Sequence, residues 1–584
     1  MKIRKLFILS ALVLGISSLT FRAEAQQEQV PDEQPITYCN PVNIDYTYMI
    51  VNSHRNVSYR SGADPAVVSF RGKYYMFVTR SLGYWYSDDL THWQFIKPQD
   101  WYFQGSNAPA AYNYKDSVLY VTGDPSGDMS LLYTDNPRKG DWKAVPAILW
   151  NLQDPDFFMD DNGKAYMFWG SSNTFPIRGM ELDPKQRFIK KSETIELFKL
   201  HEDKHGWERF GPNHNDPKLS GYMEGAWLTK HNGKYYMQYA APGTEWDTYG
   251  DGVYVADSPL GPYTYEPNSP ISYKPGGFIN GAGHGSTVEG PGHQLWHFGT
   301  MAISVNYKFE RRVGMFPTFF DKDGLMHCDM SYGDYPHYAP AEPGEQGKFT
   351  GWMLLSYNKP IEASSHLQDF VPEHVNDEHV KTFWVAATTE KPQWLKMDLG
   401  TVSTIRAIQV DYHDYHSNIY GRQDSLYEQY LVEGSIDDKN WSVIVDKRSN
   451  YKDAPNDYVQ LNEPAKARYI RFTSYHVPTP YLAISGLRIF GNGNGKKPAK
   501  VKQFVVMRDI DKRNAHLTWK AQPKAQGYNV RWGIAPDKLY NSWLVYGNDS
   551  LDIRSLNVDQ SYYFTVEAFN ENGISPGSVV IETH

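Results

Sequence analysis

The sequence predicts an all-β protein whose largest part is a five-bladed β-propeller. Three observations lead there. A degenerate strand–turn–strand unit recurs five times between about residues 40 and 345. Aromatic residues make up 15% of the 584 residues, with 43 Tyr and 17 Trp, a load that suits sheet surfaces better than helical bundles. Helix signals are almost absent from the repeat region. A chain of this length exceeds one hydrophobic core, so further modules are expected after the repeats. The net charge of −9 argues against a nucleic-acid partner, which calls for a basic excess. Two Cys exclude a disulfide scaffold and a Cys-rich zinc protein.

The first 25 residues carry an export pattern. Lys2, Arg4 and Lys5 precede an apolar run from Leu6 to Leu19, and Ala23-Glu24-Ala25 is a cleavage site. The run is short for a membrane span, no Cys follows it directly, and no later stretch is apolar enough to cross a bilayer. The expectation is a periplasmic or secreted protein with a cleavable signal over residues 1–25. Cys39 and Cys328 would then meet an oxidising compartment near the two ends of the first large domain, where a disulfide between them would close it.

Each repeat opens with a short apolar strand, turns, and returns as a Tyr-rich strand. The first reads Ala63-Asp64-Pro65-Ala66-Val67-Val68, then Gly72-Lys73-Tyr74-Tyr75-Met76-Phe77. The others open at Ala108-Pro109, Asp154-Pro155, Glu224-Gly225 and His284-Gly285. Arg71-Gly72 and Asn232-Gly233 are hairpin signals. Each copy has room for about four strands, one propeller blade. Aligning the openings puts Asp64, Ala108, Asp154, Glu224 and His284 at one repeat position, facing one another across the axis. An Asp before a Pro also opens ordinary turns, so no single residue carries the argument. Three carboxylates and an imidazole converging on one volume do, because like charges raise one another's pKa and are costly to assemble without a chemical use.

At this point the chain resembles glycoside hydrolase family 43, five-bladed propeller arabinofuranosidases and β-xylosidases. The resemblance covers roughly residues 36–345. It rests on Ala63-Asp64-Pro65, on Asp154-Pro155 with Asp160-Asp161-Asn162-Gly163-Lys164-Ala165-Tyr166, on Glu224-Gly225 with Leu228-Thr229-Lys230, and on Gly283-His284-Gly285-Ser286. It implies Asp64 as the general base, Asp154 as the carboxylate that tunes and orients the acid, and Glu224 as the general acid. It implies His284 as an axial histidine, which in several relatives lies near a bound calcium; no cofactor is expected for the chemistry, and a structural calcium is the one ion the resemblance allows. The chain departs from the family at Ala226, where Pro is usual. An Arg on the last blade often contacts the terminal sugar, and both Arg311 and Arg312 qualify. Trp207, Trp246 and His214 lie in long connections between blades, where rim residues would be.

The physical logic of glycoside hydrolysis agrees. An inverting enzyme needs an acid on the leaving oxygen and a base on the opposite face, with room between them for water. Glu224 must hold its proton near neutral pH, helped by burial and an anionic neighbour, while Asp64 stays ionised.

Residues 355–492 change character. Gln393-Trp394-Leu395-Lys396-Met397-Asp398-Leu399-Gly400, Arg468-Tyr469-Ile470-Arg471-Phe472 and Ile484-Ser485-Gly486-Leu487-Arg488-Ile489-Phe490 resemble a discoidin (factor 5/8 type C) β-sandwich, a module that binds carbohydrate or packs as a spacer. Gly491 to Pro498 is a flexible linker by composition. Residues 498–584, with Trp519, Tyr528, Leu556 and Tyr562-Tyr563-Phe564-Thr565-Val566, resemble a fibronectin type III sandwich that spaces or packs. The expected fold class is therefore all-β: a five-bladed β-propeller over 36–345 followed by two β-sandwich domains. The expected activity is an inverting exo-glycosidase on plant-type oligo- or polysaccharide, with α-L-arabinofuranoside first, β-D-xyloside second and a galactoside third. The alternative class is a non-catalytic carbohydrate-binding propeller. Protein partners are left open.

Overall fold

Four consecutive sheets in the computed structural model are single blades, and a fifth takes strands from both ends of the repeat region. The structure describes residues 35–49, 57–99, 106–124, 130–146, 148, 151–388, 390 and 392–584. The export pattern at 1–25 lies outside the described residues. The first blade runs Ala66–Phe70, Lys73–Phe77, Tyr84–Ser87 and Trp93–Ile96 in order. The expected hairpins form: Arg71 and Gly72 have φ of 52° and 69°, and Asn232 and Gly233 have 48° and 78°. Two consecutive left-handed residues define the turn whose twist matches a two-residue hairpin. Lys115 and Asp116 (φ 52° and 53°) make the same turn in the second blade without a glycine.

Blade strands are apolar on both sides because each blade packs against two others. Tyr75 and Phe77 face the second blade, in a cluster with Ala111, Leu119, Val121 and Trp142. Their neighbours Tyr74 and Met76 face the fifth blade, clustered with Trp296, Phe298, Val313 and Met315. Similar clusters join blades two and three around Phe157 and Met167, three and four around Phe168 and Met237, and four and five around Tyr236 and Met301. Five interfaces close a ring.

The ring is closed by pairing, too. The last blade contains Asn280–Glu289, Leu295–Ala302, Arg311–Phe320 and Met326–Cys328, and the N-terminal strand Arg60–Ser61 joins it in parallel through Ser61 and Arg311. Gly62 N–H donates to Arg311 O at 3.0 Å. Asp64 thus opens the first blade three residues after Ser61 has fastened the chain to the last.

Cys39 and Cys328 are both buried free thiols, so the expected disulfide is corrected. Cys39 Sγ lies 3.3 Å from Asp334 O and Cys328 Sγ 3.3 Å from Thr318 Oγ1, each in its own polar niche. Sequence position near the domain ends did not translate into proximity.

An eight-stranded sheet system follows the propeller, with the long strands Gln393–Tyr412 and Asn456–His476 bent by bulges and paired over most of their length. Its core includes Trp384, Leu395, Ile408, Val432, Ile470 and Leu487. The last module has one sheet of Lys502–Arg508, Ala515–Lys520 and Ser550–Ile553 and a second built on Gly527–Gly533 and Tyr562–Asn570, around Trp519, Trp532 and Phe564.

Ile36–His584 is one compact unit. The linker expected to be flexible is pinned: Gly493 N–H donates to Glu571 O at 2.8 Å, and Asn570 Nδ2 donates to Lys496 O at 3.1 Å. The third module grips the propeller through Arg209, whose guanidinium donates to Asn514 Oδ1 and Arg554 O. Arg488 of the middle module is buried between modules, bidentate to Glu378 at 2.8–2.9 Å and donating to Asp334 O of the propeller segment at 2.6 Å. Charge-assisted bonds satisfy a guanidinium that would otherwise be costly to bury.

Candidate active site

The inner strands deliver their side chains to the axis from an unusual backbone. Asp64, Ala108, Asp154, Gly225 and His284 all have positive φ, between 40° and 69°. Four non-glycine residues in the left-handed region at one repeat position is strain that the surrounding sheets must hold. Their N–H groups are collected by neighbouring blades: Asp64 N–H by Thr300 Oγ1 (2.8 Å), Ala108 N–H by Thr79 Oγ1 (2.9 Å), and His284 N–H by Asp251 Oδ1 (2.7 Å).

This register corrects the alignment of the fourth repeat. Gly225, not Glu224, is the counterpart of Asp64. Glu224 stands one residue earlier, with Asn107 and Gln153, ahead of a bulge in its strand pairing. Gly225 is needed for space as well as for φ: a Cβ there would sit 2.7 Å from His284 Cγ.

The result is a cavity of about 440 Å³ lined by Asp64, Asp154, Glu224, His284 and Arg311 at its acidic end and by Met49, Tyr59, Tyr307 and Phe309 on a wall. That volume suits one or two sugar rings. His284 Nδ1 is 3.4 Å from Asp64 Oδ1 and 3.8 Å from Asp154 Oδ2. Arg311 Nη1 is 3.6 Å from Asp64 Oδ1 and donates to Thr244 Oγ1 at 3.1 Å. Thr79 donates to the other Asp64 oxygen. Tyr249 donates its hydroxyl to Glu224 Oε1, and Ser171 Oγ lies 3.5 Å from Glu224 Oε2.

The three carboxyls are driven apart electrostatically. Burial alone would raise Asp64, but the Arg311 guanidinium, His284 and the Thr79 hydroxyl outweigh it and hold the group below its ordinary value. Asp154 goes the other way: burial, then Glu224 and Asp64, push it well above the carboxylate range. Glu224 is also raised, by burial first and by Asp64, against the lowering pull of His284, the Tyr249 hydroxyl and Arg311. Asp154 and Glu224, together with His284, present oxygen and nitrogen atoms within 4.8 Å of one another. Two buried carboxyls that close do not both ionise, so the pair holds a proton while Asp64 stays charged.

Arg311 and Arg312 are adjacent on a strand and point oppositely. Arg312 turns away from the cavity, donates to Arg60 O at 3.1 Å and Asn456 Oδ1 at 3.2 Å, and is corrected from sugar contact to module packing. Trp207 is corrected too: it is 0% exposed, packed on Gly252 and Tyr239 and donating to Tyr265 OH. Trp246 packs edge-on against Phe210 and is not among the residues lining the cavity. His214 is buried, bonded to Tyr273 OH, with its pKa pushed by burial down to about 3. The motif acids Asp160 and Asp161 both pair with Lys230, a brace between blades three and four rather than part of the cavity.

Sequence reasoning missed the wall. Tyr59, Tyr307 and Phe309 come from the arm before the first blade and from the loop before the strand Arg311–Phe320. Tyr59 lies against Tyr307 with ring centroids 5.1 Å apart, and Arg311 sits over Phe309 at 5.2 Å. The available signal was the aromatic spacing Tyr307-x-Phe309 two residues before Arg311.

The resemblance allows a structural calcium near His284. The donors here are one imidazole nitrogen and two carboxyl oxygens, whereas calcium takes six to eight oxygens. These residues do not fit a calcium cage, and no chemical step is assigned to a metal.

Comparison with known proteins agrees with the architecture. Residues 54–326 match the profile of glycosyl hydrolases family 43, and residues 360–484 match that of the F5/8 type C domain. The chain therefore carries a family 43 domain followed by a discoidin domain. A β-D-galactofuranosidase of Aspergillus niger is 43% identical over 170 residues, 28% of this chain and 43% of that protein. A xylosidase/arabinosidase of Humicola insolens is 26% identical over 218 residues, 32% of this chain and 59% of that protein. An arabinoxylan arabinofuranohydrolase of Paenibacillus polymyxa is 24% identical over 273 residues, 37% and 41% of the two chains. The chain thus spans between 41% and 59% of the length of these curated relatives.

Proposed function

We propose that the protein is an exported, inverting exo-glycosidase that removes a terminal furanoside, α-L-arabinofuranoside in the first place, from plant-type polysaccharide. One observation carries the reading: three carboxyls on three blades meet in a sugar-sized cavity with their proton affinities driven in opposite directions. Asp64, ionised, takes a proton from the attacking water. Glu224, protonated and hydrogen-bonded by Tyr249, gives its proton to the leaving oxygen. Asp154 shares the acid's proton and keeps it available near neutral pH. His284 and Arg311 hold Asp64 charged, and Arg311 is placed to meet a sugar hydroxyl. The wall of Tyr59, Tyr307 and Phe309 stacks on the sugar's apolar face.

A β-D-galactofuranoside is the second reading, favoured by the 43% identical stretch shared with the Aspergillus protein. The two sugars share their ring configuration and differ in the exocyclic chain, so one pocket floor serves either. The third module is read as a fibronectin type III-like spacer: its Tyr562 hydroxyl accepts the Asn557 N–H at 3.0 Å, five residues upstream, as a tyrosine corner does.

The test is a panel of aryl α-L-arabinofuranoside, β-D-galactofuranoside and β-D-xyloside, with the product anomer followed by proton NMR. Turnover of one furanoside with inverted product supports the reading. Retained configuration, or turnover of the xyloside alone, overturns it.

A further inference from the structure

The cavity wall is fastened to the discoidin domain in a regular way. Strands and extended loops present alternate residues to opposite sides. Three wall residues, Met49, Tyr59 and Tyr307, and Arg311 at the acidic end line the cavity, and the residue beside each is held by a single sandwich segment, 413–422. Beside Met49, Tyr48 donates its hydroxyl to Asp414 Oδ1 at 2.6 Å, and its backbone exchanges bonds of 2.9 and 3.1 Å with Gly421. Beside Tyr59, Ser58 donates its N–H to Ser417 O and its hydroxyl to Ser417 Oγ, both at 2.8 Å. On the other side of Tyr59, Arg60 Nε is 3.4 Å from Asp414 Oδ1. Beside Tyr307, Asn306 Nδ2 donates to Asp414 O at 3.3 Å. Beside Arg311, Arg312 Nη2 is 3.8 Å from Asp414 Oδ2.

We propose that Asp414 and Ser417 of the discoidin domain are positioning residues for sugar recognition in the propeller, so that the sandwich is part of the pocket's construction and not only a neighbouring module. The inference rests on the glycosidase reading for its substrate. Ser58 and Ser417 are completely buried, Asp414 is 4% exposed, and Tyr48, Arg60 and Arg312 are buried with them, so these contacts are shielded from competing water; Asn306 is half-buried. Among the described contacts none of these groups bonds to Asp154 or Glu224, and the tie to Asp64 runs through Arg311. Their loss therefore moves the wall while leaving the proton-transfer pair in place.

The experiment measures kcat, KM and Tm of full-length wild type, Asp414→Asn, Ser417→Ala and Ser417→Thr on the furanoside that the wild type hydrolyses. The expected result is a KM raised about tenfold in the first two with kcat within about threefold, and recovery in Ser417→Thr, which keeps the hydroxyl. A lowered Tm with unchanged KM would mean that the contact is glue, and would overturn the proposal. Ser417→Ala removes one oxygen and keeps the test open should Asp414→Asn fail to fold. Hydrogen exchange on the same proteins separates this inference from the functional reading. Faster exchange confined to residues 57–61 and 305–311 supports the positioning role even if no glycoside is turned over; exchange unchanged there overturns it whatever the substrate.

Discussion

The floor of the cavity and its wall are held by different means. Asp64, Asp154 and His284 stand on left-handed backbone at the heads of inner strands, and Asp64 and His284 are pinned by side chains of neighbouring blades. Met49, Tyr59, Tyr307 and Phe309 stand on an arm and a loop, and the residues beside Met49, Tyr59 and Tyr307 are fixed by bonds to a different module. The floor is a property of the ring. The wall is a property of the ring and the sandwich together. The difference teaches that chemistry and recognition can be perturbed separately here, and each prediction either uses that separation or breaks it.

The largest effect belongs to the floor. Glu224→Gln and Asp64→Asn should each lower kcat by about a thousandfold with KM little changed, measured on the furanoside. A large KM rise in either would blur the division. Asp154→Asn should cost less, about ten- to a hundredfold, and should also move the basic limb of the pH profile. The sign follows from the pair. Activity needs Asp64 ionised, which holds down to low pH because its pKa is lowered, and Glu224 protonated, which holds up to the raised pKa. Asn at 154 can neither share the pair's proton nor carry the charge that opposes its loss, so the acid loses its proton earlier and the basic limb shifts to lower pH. An unmoved limb would mean that Asp154 does not tune the acid.

Phe309→Ala should act on the wall. Losing the ring beneath Arg311 should raise KM about tenfold, equivalent to about 1.4 kcal/mol, with the pH profile unchanged. Trp207→Ala should leave KM unchanged and lower stability by about 3–5 kcal/mol, read as a fall in Tm, because the ring fills the core behind Tyr239. The smallest expected effect is that of a chelator: activity and Tm should stay as they are, since the donors at His284 do not form an oxygen cage.

The floor was legible in the sequence because a repeat fixes geometry by symmetry. Asp64, Asp154 and His284 recur at one strand position, and position in a propeller is location. Glu224 was found although the alignment was off by one residue, since Gly225 takes the strained backbone in its place. The wall was illegible because nothing repeats there. Tyr59 and Tyr307 are 248 residues apart in the chain and meet only once the ring has closed. The choice between Arg311 and Arg312 needed the strand's facing, which adjacent identical residues hide. Trp207 failed as a rim residue because it sits in a long connection that folds inward as core. The disulfide failed for a related reason: being near the ends of a domain says nothing of distance in a closed ring.

The fastening of Ser61 to the last blade carries a consequence for biosynthesis. Ser61 Oγ donates to Phe309 O, 248 residues further along, and Arg60 pairs with Asp453, 393 residues further along. An emerging chain therefore makes its base-bearing strand early and must leave it unmoored while most of the protein is still to come. Contacts of such range are slow to form. The polypeptide acquires a finished pocket only when the discoidin domain arrives, and a nascent fragment that stops short of it has the acids without the grip.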